Sequence, residues 1–121
     1  MMQILLSVAL GGALGATLRF GLGLALLRDG FPVAILVVNV LGSFAMGLAA
    51  ILLFRHGLTQ WQPFLMTGLL GGFTTFSAFS LETLTLAERG AWGQAGTYVA
   101  LSVGLSLGAV AFGVWIGRAV A

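Results

Sequence analysis

The chain has no cysteine, and that absence removes disulfides, thiol nucleophiles and cysteine-based metal sites together. It leaves the redox compartment open. Charge is almost as scarce, with five arginines, three acidic residues and one histidine among 121 residues. The pI near 10.6 follows from that small imbalance. There is no basic patch to neutralise phosphates, so nucleic acid is excluded as a partner. Enzymatic chemistry also lacks its parts: His56 falls in a connecting loop, and no nucleophile, base and orienting group can be matched around it.

What the chain has instead is apolar bulk. It is 60% hydrophobic with a mean hydropathy of +1.12, the composition of an integral membrane protein. Four apolar stretches run over Ile4–Leu27, Val33–Phe54, Gln62–Ala87 and Gly93–Gly117. Each reaches the ~20 residues a helix needs to cross ~30 Å of hydrocarbon. They are too long and too continuous for the ~10-residue alternating strands of a membrane barrel. The connectors, Arg28 to Pro32, Arg55 to Trp61 and Glu88 to Trp92, leave no room for a soluble domain. Met1-Met2-Gln3 lacks the basic residues of a signal peptide, and no convincing cleavage site follows, so the first stretch reads as a span. The expected fold is one all-α membrane domain over residues 1–121, with four transmembrane helices.

The third stretch carries Gly71-Gly72-Phe73-Thr74-Thr75-Phe76-Ser77-Ala78-Phe79 near its middle. Paired glycines weaken a helix, and two adjacent threonines add hydroxyls that compete for backbone partners. An unbroken helix packed closely on a neighbour is one reading. A mid-membrane break is favoured, because close packing does not account for the two threonines and the two spaced phenylalanines that follow. Carbonyls and amides released by a break cannot face lipid, so they must point into protein, an ion or a water-filled cavity.

Other polar groups fall at helical spacing. Asn39, Ser43 and Gly47 share one face of the second stretch. The Asn39 amide suits either a bond to another helix or donation to an anion in a pore. Ser77, Ser80, Thr83 and Thr85 follow the break, too many hydroxyls for a lipid-facing surface, and Ser77, Ser80 and Thr83 are expected on the anion's path. Tyr98, Ser102 and Ser106 form a ladder on the fourth stretch, which reads as a polar track or as hydroxyls bonded to their own i−4 carbonyls. Arg19 and Glu82 lie at similar counts from the ends of their spans. Arg19 therefore either snorkels to the interface, pairs with Glu82, or lines a wet vestibule with it.

Arginines are nearly balanced between the two sides, with Arg55 and Arg118 on one and Arg28 and Arg89 on the other, joined by Arg19 if it snorkels. Orientation follows the bias of basic residues in short loops, so this chain is expected to insert both ways. An antiparallel, dual-topology homodimer follows, and it brings two broken segments to a shared midplane. Carbonyls there suit a hard cation such as Na⁺. The hydroxyls, the Asn39 amide and the positive edges of phenylalanine rings suit a small, strongly hydrated anion.

The run from Gly71 to Ser80, together with Gly11-Gly12-Ala13-Leu14-Gly15-Ala16-Thr17-Leu18-Arg19-Phe20 and Val38-Asn39-Val40-Leu41-Gly42-Ser43-Phe44, resembles the Fluc/CrcB family of fluoride channels over essentially the whole chain. That resemblance implies passive fluoride export across the cell membrane by a multi-pass, dual-topology dimer with two pores. It also implies a structural Na⁺ held by backbone carbonyls of Gly71 and Thr74. Phe76 and Phe79 would offer ring edges to fluoride, Asn39 would line the pore, and Tyr98, Ser102 and Ser106 would lie on the ion track. Ala78 departs from the threonine found in many members. Two rivals explain less. A small multidrug exporter needs a carboxylate in its first span, which this chain lacks, and a non-transporting assembly subunit gives no reason for donors to align on three spans.

Overall fold

A computed structural model describes residues 1–121. Helix α1 covers Met2–Ala25 and α2 covers Val33–Arg55. The third span opens with a 3₁₀ turn at Thr59–Trp61 and a π-helical segment at Pro63–Leu70, continues in one α-turn, α3, Gly71–Phe73, and resumes as α4, Phe76–Glu88. Helix α5 covers Trp92–Val120. Four helical spans are thus long and apolar enough to cross a membrane, with the third counted from Thr59 to Glu88.

The spans associate as two parallel pairs. Helix α1 packs on the π-helical segment and α3, whereas α2 packs along α5. Small residues set both seams. A Cβ on Gly72 would come within 2.7 Å of Gly12 O, and one on Gly68 within 2.9 Å of Val8 O. On the other seam Gly47 lies against the Val110 carbonyl and Gly113 against that of Phe44. Backbones at this separation gain dispersion contacts that lipid does not supply, which is how helices associate where the hydrophobic effect between them is absent. Residue numbers rise together along each seam, so spans one and three run in one direction and two and four in the other.

The connectors are short because the helices stop sharply. At the end of α2, Gly57 takes φ +68° while Leu58 N bonds Leu53 O at 2.8 Å and Gly57 N bonds Phe54 O at 3.3 Å. At the end of α4, Gly90 at φ +80° repeats the pattern, with Ala91 N on Leu86 O at 2.9 Å and Gly90 N on Ala87 O at 3.0 Å. Both are Schellman ends, which satisfy carbonyls the helix leaves orphaned. Arg55 and Arg118 meet at one end of the bundle, where Arg55 Nη1 donates to Arg118 O at 3.1 Å. Arg28 and Arg89 meet at the other, around a shared cavity.

The two seams differ from the rest of the surface in what they tolerate. Gly113→Val is expected to lower stability by on the order of 1–3 kcal/mol or to prevent folding. Gly104→Ala, at a position with nothing within 4 Å of the added methyl, should be close to neutral. Thermal unfolding of the purified proteins in detergent measures the contrast.

Candidate functional site

The third span leaves helical geometry at two residues. Thr74 has φ −83°, ψ 159°, and Thr75 has φ −152°, ψ 125°. The break is therefore real, and its backbone groups can be followed one by one. Thr75 N donates to Asn39 Oδ1 at 2.8 Å, and Asn39 Nδ2 donates to Thr75 O at 2.9 Å. Ala78 N donates to Thr75 Oγ1 at 3.1 Å, an N-cap on α4. Arg19 Nε donates to Gly72 O at 3.2 Å. Partners for the broken span thus come from α1, from α2 and from the break itself.

Beside the break lies a cavity of about 470 Å³ lined by Asn39, Ser43, Thr75, Phe76, Phe79, Ser102 and Ser106, among others. It is open on one side, where Phe76 stands 78% exposed. The rings of Phe76 and Phe79 are 5.5 Å apart, and Phe79 lies 5.3 Å from Tyr98. The lining is mainly apolar with a few polar groups set in it, the usual make-up of a small-ligand site. One of those groups has no partner in the protein: Ser102 Oγ is buried and makes no hydrogen bond.

Most of the residues expected at a site converge here, and several do not. Asn39, Phe76, Phe79, Ser102 and Ser106 line the cavity, as does Thr74. Tyr98 leaves the ladder. It is fully buried, packs edge-on against Phe31 at 5.5 Å, and donates its hydroxyl to Glu82 Oε2 at 2.9 Å. Ser80 and Thr83 bond their own i−4 carbonyls, Phe76 O at 2.9 Å and Phe79 O at 2.8 Å. Ser77 Oγ turns to Thr75 Oγ1 at 3.2 Å.

The pairing of Arg19 with Glu82 is not formed. Arg19 sits at the level of the break on Gly72 O, and Glu82 sits toward the end of the bundle on Tyr98. The reason is register: Val8 meets Gly68 and Gly12 meets Gly72, so α1 and the third span do not end level and equal counts from their ends are not equal depths. Nor do the two share a vestibule. Glu82 lines a second cavity of about 460 Å³ with Arg28, Asp29, Thr85 and Arg89, and Arg19 is absent from it. Two polar lining residues went unassigned from sequence. Ser43 carried the signal of i+4 spacing from Asn39, and the capping role of Thr75 was legible in its place immediately before a resumed helix.

Fold and site together define a multi-pass membrane protein whose broken third span walls a small cavity with a few polar groups in it. A family model described as "CrcB-like protein, Camphor Resistance (CrcB)" matches residues 6–114, and the chain belongs to that family. It is similar to the "Fluoride-specific ion channel FluC" of Roseobacter denitrificans, 57% identical with 98% of each chain covered. The protein of the same name from Ruegeria sp. is 55% identical over 99% of this chain and 98% of its own. That of Paracoccus denitrificans is 52% identical over 98% and 97%. The chain is a multi-pass protein of the cell membrane.

The Tyr98–Glu82 bond ties the middle of α4 to α5. Tyr98→Phe should destabilise the protein by on the order of 1–3 kcal/mol, because it leaves a half-buried carboxyl without its donor. Glu82→Gln keeps an acceptor for the phenol and should cost less. Thermal unfolding of both variants checks the order.

Proposed function

We propose that this protein is a fluoride channel, letting fluoride leave the cell passively, and not an enzyme. The relatives' shared name points there, and the observation that carries the reading within this chain is the cavity at the break. A small hydrated anion gives up its water only where donors replace it. The unpartnered Ser102 hydroxyl, Ser106, Ser43 and the second hydrogen of the Asn39 amide are such donors, and the positive edges of Phe76 and Phe79 flank them. The second cavity, lined by Arg28 and Arg89 together with Asp29 and Glu82, lies toward one end of the bundle.

The channel is a dual-topology, antiparallel homodimer. Two arginines at each end of the bundle give insertion no preferred direction, and a second copy closes the open side of the cavity where Phe76 is exposed. A structural Na⁺ sits at the dimer interface on the carbonyls of Gly71 and Thr74. The donor chemistry fits: Thr75 N–H and Ala78 N–H, which an unbroken helix would give to these two oxygens, are taken by Asn39 and Thr75 Oγ1, and oxygen donors of this kind suit a hard cation.

Liposomes carrying the purified protein should release fluoride and retain chloride. Phe76→Ile and Phe79→Ile should cut fluoride release by roughly tenfold or more while the protein purifies as the wild type does, since isoleucine fills space without a polarised edge. Near-normal release by the double variant would remove the rings from the pathway, and chloride release equal to fluoride would remove the function.

A reporter fused after Ala121 should be found on both faces of the membrane in comparable amounts, and two or three lysines added to one loop should bias it. A single orientation in the unaltered chain would rule out the antiparallel dimer.

A further inference from the structure

Helical geometry sends Thr75 N–H to Gly71 O and Ala78 N–H to Thr74 O. Both bonds are diverted here. Thr75 N bonds Asn39 Oδ1 at 2.8 Å, and Ala78 N bonds Thr75 Oγ1 at 3.1 Å. The two carbonyls that lose their donors are those of Gly71 and Thr74. Two side-chain oxygens, one from α2 and one from the break, therefore expose the same two main-chain oxygens that the Na⁺ reading needs.

Direction follows as well as exposure. The peptide unit joining Thr74 to Thr75 is planar and trans, so its N–H and C=O point opposite ways. Tying Thr75 N–H to Asn39 turns Thr74 O away from α2. The second bond, Asn39 Nδ2 to Thr75 O at 2.9 Å, fixes the following peptide unit from the same amide. Asn39 also lines the cavity beside Phe76 and Phe79. One side chain thus faces the anion cavity and holds the backbone on the far side of it.

We infer that Asn39 and the Thr75 hydroxyl are positioning residues for the cation site: by capturing the N–H groups of Thr75 and Ala78, they free and aim the Gly71 and Thr74 carbonyls without touching the ion. The inference rests on the Na⁺ reading above and adds to it the side chains on which the site depends. If Asn39 served the anion alone, its loss would leave cation binding unchanged. Under the positioning role, loss of Oδ1 lets Thr75 N–H return to Gly71 O, and the site loses a ligand.

The test is Na⁺-dependent thermal stability of the purified protein, with N-methylglucamine replacing Na⁺ at constant ionic strength. A ligand that binds only the folded state raises the midpoint as its concentration rises. The wild type should respond. Asn39→Leu should need roughly tenfold more Na⁺ for the same rise, the scale of one lost strong hydrogen bond, or show no rise. Asn39→Asp keeps an acceptor for Thr75 N–H and should retain the Na⁺ response while losing fluoride flux. Thr75→Val should weaken the response, and Thr75→Ser, which keeps the hydroxyl, should restore it. If Asn39→Leu fails to fold, Asn39→Asp and the Thr75 pair decide. Equal Na⁺ responses in the wild type and in the Leu and Val variants would overturn the inference and leave the cation site standing. A wild type with no Na⁺ response would remove the cation site and the inference together.

Discussion

A chain that leaves helical geometry in the middle of a bilayer must find a partner for each backbone group it releases, because lipid offers none and each orphan costs several kcal/mol. Here both backbone groups of Thr75 are met by one amide. Asn39 accepts from Thr75 N and donates to Thr75 O. Arg19 takes the Gly72 carbonyl, and Thr75 caps the helix that follows with its own hydroxyl. Remove these partners and the continuous helix becomes the cheaper structure.

The packing of the spans serves the same end. For Asn39 to reach Thr75, α2 must pass the break closely, and a small residue three positions on allows it: Gly42 faces the Thr74 methyl and the Phe73 ring, where a larger side chain would hold the helices apart. For Arg19 to reach Gly72 O, α1 must lie on the third span backbone to backbone, as Gly11, Gly15 and Gly72 permit. The donors that remain uncommitted, Ser102 above all, face the cavity on the α2–α5 side. Satisfying the break and building a site with free donors are thus two outcomes of one arrangement.

Hydropathy alone marked the four spans to within a few residues, and the Gly-Gly-x-Thr-Thr run marked the break, since both are properties of local sequence. The cavity lining was partly legible for the same reason: i+4 spacing put Asn39 with Ser43, and Ser102 with Ser106, on single faces. What sequence could not supply was register between spans. That Asn39 meets Thr75, 36 residues away, depends on how α2 slides along the third span. Arg19 and Glu82 looked level because both were counted inward from span ends, and the two spans do not end level. Nor could sequence say which acceptor each hydroxyl takes: Ser80 and Thr83 bond the carbonyl four residues back.

The central claim is that Asn39 holds the break open, and solid-state NMR on the isotope-labelled protein in lipid bilayers measures it directly. The account predicts a through-space correlation between the Asn39 side-chain carbonyl carbon and the Thr75 backbone nitrogen, consistent with the 2.8 Å hydrogen bond. It also predicts extended-type chemical shifts at Thr74 and Thr75. Helical shifts at both residues with no contact to Asn39 would contradict it.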